Sequence, residues 1–136
     1  LAKAGLTIDL KREPADGFWA NIWMKRAMVS VSWNPRPTYN IMHTLMCRSD
    51  AKWNDTAFKN ERLDMLIDES RRTLDKAKAK ELSWETQKII HEEGGRALAC
   101  FQNYIDGLSP KVKGLVPIPT GNLMGFNFAD SVWLDA

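Results

Sequence analysis

The sequence predicts an α/β protein: a mostly parallel sheet with flanking helices and a helical hairpin laid against it. Three observations predict it. Leu6, Ile8 and Leu10 alternate with Thr7, Asp9 and Lys11, the period-2 pattern of a half-buried strand. A short helical stretch and a second strand-like run, Ala27 to Trp33, follow closely enough to make a compact βαβ unit, and such a crossover implies parallel strands. Further on, two longer stretches carry apolar residues at helical spacing.

Taken in order, Leu1 to Ala4 read as a last helical turn, with Gly5 suited to the positive φ that ends it. A chain opening on the tail of a helix is expected to be a segment of something longer. Pro14 ends the first strand. Asp16 can cap a short helix in which Phe18 and Ile22, and Trp19 and Trp23, stand four residues apart. Residues 34–53 read as an irregular loop, because Pro35 and Pro37 also force their predecessors toward extended geometry. Loops of that length in compact domains are more often functional than accidental.

The hairpin comes next. Asn54 or Asp55 can cap its first helix, with Leu63, Leu66, Ile67 and Leu74 on one face and Glu61, Asp64, Asp68, Arg71 and Arg72 opposite. Asp75 starts a short break or is a second cap, and Ala77 to Glu93 repeats the pattern with Leu82, Thr86, Ile89 and Ile90 before Gly94-Gly95 stops it. Arg96 to Tyr104 is a mostly apolar run that fits a strand buried on both faces. From Ser109 the chain turns Gly- and Pro-rich and reads as extended segments and turns.

Composition narrows the function classes. The chain has 136 residues, 44% hydrophobic and 26% charged, with a net charge of +2 and both signs interspersed. That is the make-up of an ordinary globular domain and gives no electrostatic footprint for nucleic acid. No stretch approaches the roughly 18 continuous apolar residues of a membrane span. Cys47 and Cys100 lie far apart without metal-type spacing; two unpaired thiols or one disulfide both fit.

Catalytic constellations are poorly supported. His43 and His91 are the only histidines, and the Cys and carboxylates near them give no strong zinc signal. Gly94-Gly95 follows a helix instead of opening one, so it is not a phosphate loop. The carboxylate pairs Asp64/Asp68 and Glu92/Glu93 sit beside basic residues, as solvated helix faces do. No enzymatic activity, metal or cofactor is expected. The loop after Trp33 is different. It leaves the carboxyl end of a predicted parallel strand, where open α/β sheets bind ligands. Trp33 offers an aromatic face, Arg36 a guanidinium, and Asn34, Thr38 and Asn40 neutral hydrogen-bonding groups, the parts needed to hold a small polar or peptidic solute.

Several stretches together resemble a known family. They are Ala4-Gly5-Leu6, Pro14 to Trp19, Trp33 with Arg36-Pro37-Thr38, Trp53-Asn54-Asp55-Thr56, Lys59 to Leu63, and Gln87 to Gly95. In order and spacing this set resembles the C-terminal portion of the solute-binding proteins of bacterial ABC transporters, extracellular family 5, the dipeptide, oligopeptide and nickel class. The resemblance implies a type II periplasmic-binding-protein-like lobe. Residues 1–108 would belong to the second lobe of a two-lobed protein, and 109–136 would return across the hinge toward the first. It implies a peptide or similar small solute, permease subunits and the missing N-terminal lobe as partners, and a periplasmic location with a signal peptide upstream. Trp33, Asn34, Arg36, Thr38 and Asn40 would line the cleft. Peptide-binding relatives often carry an Asp in this loop; the nearest match here, Asn40, is neutral, so Arg36 facing a carboxylate or carbonyl is the stronger expected contact. Two other readings compete: a small α/β enzyme using His43 and Arg36 on a polar metabolite, and an interaction domain exposing its six tryptophans as a patch.

Overall fold

The computed structural model describes Lys3, residues 5–119 and residues 121–135. Its elements are α1 (Phe18–Asn21), α2 (Tyr39–Met46), α3 (Glu61–Arg72), α4 (Lys76–Glu92), β1 (Val112–Lys113), α5 (Asn122–Gly125), a 3₁₀ turn (Phe128–Asp130) and β2 (Trp133–Leu134). The chain divides into two compact units, Leu1–Val31 and Ser32–Ala136.

Among the described residues of the first unit the one regular element is α1. Gly17 precedes it at φ +78°, a left-handed value that glycine adopts without steric cost. Phe18 packs edge-on against Trp19 at 5.1 Å, and Trp19 against Trp23 at 5.3 Å, an arrangement favoured by the ring quadrupoles. Leu6, Ile8 and Leu10 are all exposed and belong to no strand.

The second unit is built on the hairpin. Asn60 caps α3 by accepting a hydrogen bond from the Leu63 amide at 2.9 Å, and Asp75 caps α4 through the Lys78 amide at 2.7 Å. Each such cap satisfies a donor that the helix itself leaves unpaired. Leu63, Leu66 and Ile67 of α3 are sealed from water against Leu82 and Thr86 of α4, and Met46 of α2 joins them. Burying each aliphatic side chain stabilises the unit by about 2 kcal/mol. The small hydroxyls of Ser70, Ser83 and Thr86 let the helices approach, and those of Ser70 and Thr86 donate to the carbonyls of Ile67 and Leu82.

The C-terminal part is held by short pairings. β1 and β2 run antiparallel, with Val112 opposite Leu134 and Lys113 opposite Trp133. Gly114 is required beside them: its φ is +84°, and an added Cβ would meet the Ser131 carbonyl oxygen at 2.1 Å. Residues 122–125 form a left-handed turn, with positive φ at Leu123, Met124 and Gly125. Left-handed backbone costs about 1 kcal/mol or more per non-glycine residue. The Asp106 carboxylate offsets part of it by accepting from the Asn122 side chain and the Leu123 amide, both at 3.0 Å.

This architecture corrects the predicted fold class. Among the described residues the protein is mostly helical with one two-stranded antiparallel sheet, not a mostly parallel α/β lobe of the type II binding-protein kind. The segments predicted as parallel strands, 6–10 and 27–33, have no ladder partner, and neither has 96–104. Arg96 to Tyr104 was expected to be buried on both faces; instead Leu98 is exposed and Phe101 is 91% exposed. The physical reason is that alternation specifies which face of a strand is apolar, whereas a strand forms only where a second backbone supplies the ladder. Helices close their hydrogen bonds locally, so the hairpin needs only its own two faces.

Smaller corrections follow the same logic. The stretch read as wholly irregular contains α2, started by Thr38. The first hairpin helix begins at Asn60, not at Asn54 or Asp55. Leu74 lies beyond the end of α3 and is 97% exposed, so it is not on the core face. The proposed opening turn at Leu1 to Ala4 falls mostly outside the described residues.

Candidate functional site

The segment from Trp33 to Asn40 is fixed at both ends and self-supporting between them. At its start the Trp33 indole N–H donates to Asp55 Oδ2 at 3.0 Å, and its ring tilts against Trp53 with centroids 5.8 Å apart. The second oxygen of Asp55 pairs with the Arg96 guanidinium. Asp55's side chain is only 5% exposed, so this carboxylate ties three segments that are distant in sequence. Charge-assisted bonds of this kind are about twice as strong as neutral ones.

In the middle, the Arg36 guanidinium donates through one nitrogen to the carbonyls of Asn34 at 3.0 Å and Pro35 at 3.4 Å. That folds the cation back on its own loop and leaves its other N–H groups available to an acceptor. Asn34 is exposed, and its side-chain oxygen accepts from the Tyr104 hydroxyl at 3.4 Å.

At the far end the last two of the five predicted contact residues also have structural partners. Thr38 caps α2, its hydroxyl oxygen accepting from the Ile41 amide at 3.4 Å. Asn40, one residue inside α2, has its side-chain oxygen 2.9 Å from the Ser70 hydroxyl of α3 and shares that hydroxyl's single proton with the Ile67 carbonyl. The geometry therefore brings Trp33, Asn34 and Arg36 together on one loop and turns Asn40 toward α3.

Sequence reasoning misses the roles of Asp55 and Arg96: Asp55 reads as a helix cap within the Trp53 to Thr56 motif, and Arg96 as the start of a buried strand. Tyr104, with Gln102 and Asn103 a secondary candidate for the cleft where that strand ends, does reach this loop through Asn34. No signal in the local pattern links positions 33, 55 and 96; an isolated aspartate after Trp-Asn is equally suited to a turn.

The other chemistry-bearing groups are dispersed. His43 is largely buried in α2, which depresses its pKa below the usual 6.5, and its ring lies 5.7 Å from that of Tyr39. It donates and accepts no side-chain hydrogen bond with a second titratable group among the described residues. Cys47 and Cys100 are both free. Burial pushes the Cys47 thiol up, with nearby Arg96 opposing the shift and Asp55 adding to it. Among the described residues no group of three or more His, Cys, Asp or Glu side chains is placed to hold a metal ion.

Two concavities accompany the hairpin. One, of about 10 Å³, lies among Met46, Cys47, Phe58 and Ile90 and is no larger than a single water requires. The other is an open groove of about 410 Å³ between Tyr39 and α4. None of Trp33, Asn34, Arg36, Thr38 and Asn40 lines either one.

Comparison with protein-family models, with curated proteins and with solved structures finds no match to this chain.

Proposed function

We propose that this chain is the C-terminal part of a periplasmic solute-binding protein that captures a peptide or similar small solute for import by an ABC transporter. The observation that carries the reading is the ordered set of sequence motifs from Ala4 to Gly95. What supports it structurally is that those motif residues organise one another. Asp55 anchors Trp33, and Asn54 is buried and donates to the Phe58 carbonyl at 2.7 Å. Asn60 both caps α3 and donates to Glu93 of the last motif at 3.1 Å.

The exposed apolar residues give a second line of support. Leu98, Phe101 and Ile105 lie outside any helix or strand and are open to solvent, which leaves apolar area available to a partner. The missing first lobe of the same protein is the partner that would cover it. In this reading Arg36 receives a carboxylate or carbonyl of the solute, Trp33 supplies apolar contact, and permease subunits receive the loaded protein. Closure of two lobes around a solute is driven by contacts made only in the closed state.

The test is thermal denaturation of the full-length protein with di- to pentapeptides and other small solutes. A true ligand raises stability by mass action, about 2.7 kcal/mol at one hundred times its Kd. The reading expects a peptide or similar solute to raise the Tm and Arg36→Ala to abolish most of that rise. Turnover of the bound compound, or stabilisation insensitive to Arg36→Ala, overturns it.

A further inference from the structure

The exposed face of α4 carries chemistry that the solute reading does not use. Lys76, Lys80, Trp84 and Lys88 recur every four residues, which places them in one stripe along the helix. All four are exposed, Trp84 at 72%. Among the described residues none of the three lysines makes an ion pair, whereas Lys78 pairs with Glu81 and Arg62 with Glu85 on the neighbouring face. Beside the stripe, Tyr39 of α2 donates its hydroxyl to the Ala79 carbonyl at 3.3 Å and so stands as a second wall. Between them lies the groove of about 410 Å³, lined by Tyr39, Lys76, Lys80, Ser83, Trp84 and Gln87.

We propose that this groove and the lysine stripe beyond it dock an acidic protein segment carrying an apolar side chain. Two aromatic walls hold the apolar group, and the unpaired ammoniums meet its carboxylates. The length of the stripe selects a polymer over a small anion. Lys76 and Lys88 are twelve residues apart, which is about 18 Å along a helix. The rim selects among polymers. Glu92 ends the row one turn past Lys88, Glu81 and Glu85 flank it in pairs with Lys78 and Arg62, and the chain's net charge of only +2 gives no extended field for a uniform polyanion such as nucleic acid or an anionic membrane. A peptide of mixed character can set its carboxylates on the lysines and keep neutral groups over the glutamates. The proposal does not depend on the solute reading, because it uses neither Trp33 nor Arg36.

The test is fluorescence anisotropy of a fluorescein-labelled ten-residue peptide carrying four glutamates and one phenylalanine, titrated with the whole chain. Binding is expected at low salt, falling as salt rises through the range where the Debye length shrinks below about 10 Å. Lys76→Glu with Lys80→Glu is expected to weaken it about tenfold, because each reversal turns an attraction at the rim into a repulsion. Trp84→Ala is expected to weaken it while leaving the salt dependence in place. Circular dichroism checks that each variant keeps its helix content, and Lys80→Gln provides a milder change should the reversals disturb it. Equal binding of the peptide with glutamine in place of glutamate overturns the proposal. So does binding unaffected by the lysine variants, or lysine-dependent binding of phosphatidylserine vesicles or a single-stranded oligonucleotide that exceeds that of the peptide. Failure of the solute screen leaves each of these outcomes unchanged.

Discussion

Asp55→Ala isolates the contact that fixes the start of the candidate binding loop. The partners of the carboxylate include the Trp33 indole at 3.0 Å and the Arg96 guanidinium, and its side chain is 5% exposed. Removing it leaves the indole N–H without its acceptor, worth about 1 kcal/mol net. It also leaves Arg96 without its counter-ion. Breaking a fully buried pair costs about 3–5 kcal/mol, but Arg96 keeps 21% of its side chain exposed and recovers part of its hydration, so about 2 kcal/mol is the expected share. The sum is about 3 kcal/mol, read as a lower urea midpoint at constant slope. A double-mutant cycle separates the two parts. Arg96→Met in the Asp55→Ala background should cost less than in the parent, because it removes the orphaned charge. Trp33→Phe alone should cost about 1 kcal/mol. Loss below about 0.5 kcal/mol for Asp55→Ala, or additivity of Asp55→Ala and Arg96→Met within that margin, would refute the anchor.

Three further outcomes follow from the hairpin and its neighbour. Leu66→Ala, at a fully buried position of α3, should destabilise the second unit by about 3 kcal/mol in urea denaturation, whereas Leu74→Ala should change it by less than about 0.5 kcal/mol. Asp75→Ala removes the acceptor for the Lys78 amide and should cost about 1 kcal/mol, with Asp75→Ser recovering most of it. His43 is kept neutral by burial, so its folded pKa lies below the unfolded value of 6.5. The unfolded chain then binds the proton more readily. His43's contribution is complete above pH 6.5 and is lost as pH falls below it toward the folded value. His43→Gln should flatten the slope of stability against pH in that acid window; an unchanged slope contradicts the assignment.

The parts of the fold legible in the sequence are those whose forces are local. Leu63, Leu66 and Ile67 fall three and four residues apart, and all three are buried. Asp75 caps α4, as its place before an amphipathic run suggests. The start of α3 was misplaced because Asn54, a good cap by type, spends its side chain on the carbonyls of Arg48 and Phe58. The two prolines mask the start of α2, whose signal is still there: Thr38 follows Pro37 and precedes Ile41, Met42, Leu45 and Met46, a cap before an apolar helical face. The strands were not readable in the same way. Leu6, Ile8 and Leu10 announce an apolar face, and no local pattern says which backbone should pair with it. The candidate site divides likewise. The aromatic and polar make-up of the loop stands in the sequence, but its anchoring by Asp55 depends on a contact across 22 positions that no periodicity encodes.

Amide hydrogen exchange across residues 33–40 of the full-length protein, with and without the peptide that raises its Tm most, tests the central claim most directly. The loop is exposed apart from Trp33, Arg36 and Asn40, and only Thr38 to Asn40 enter a helix, so without ligand its amides should exchange fast. Bound solute is expected to slow the amides of Asn34 and Arg36 by about tenfold or more, the protection worth about 1.4 kcal/mol. Binding that protects the α3–α4 hairpin while leaving those two amides unchanged would contradict the account.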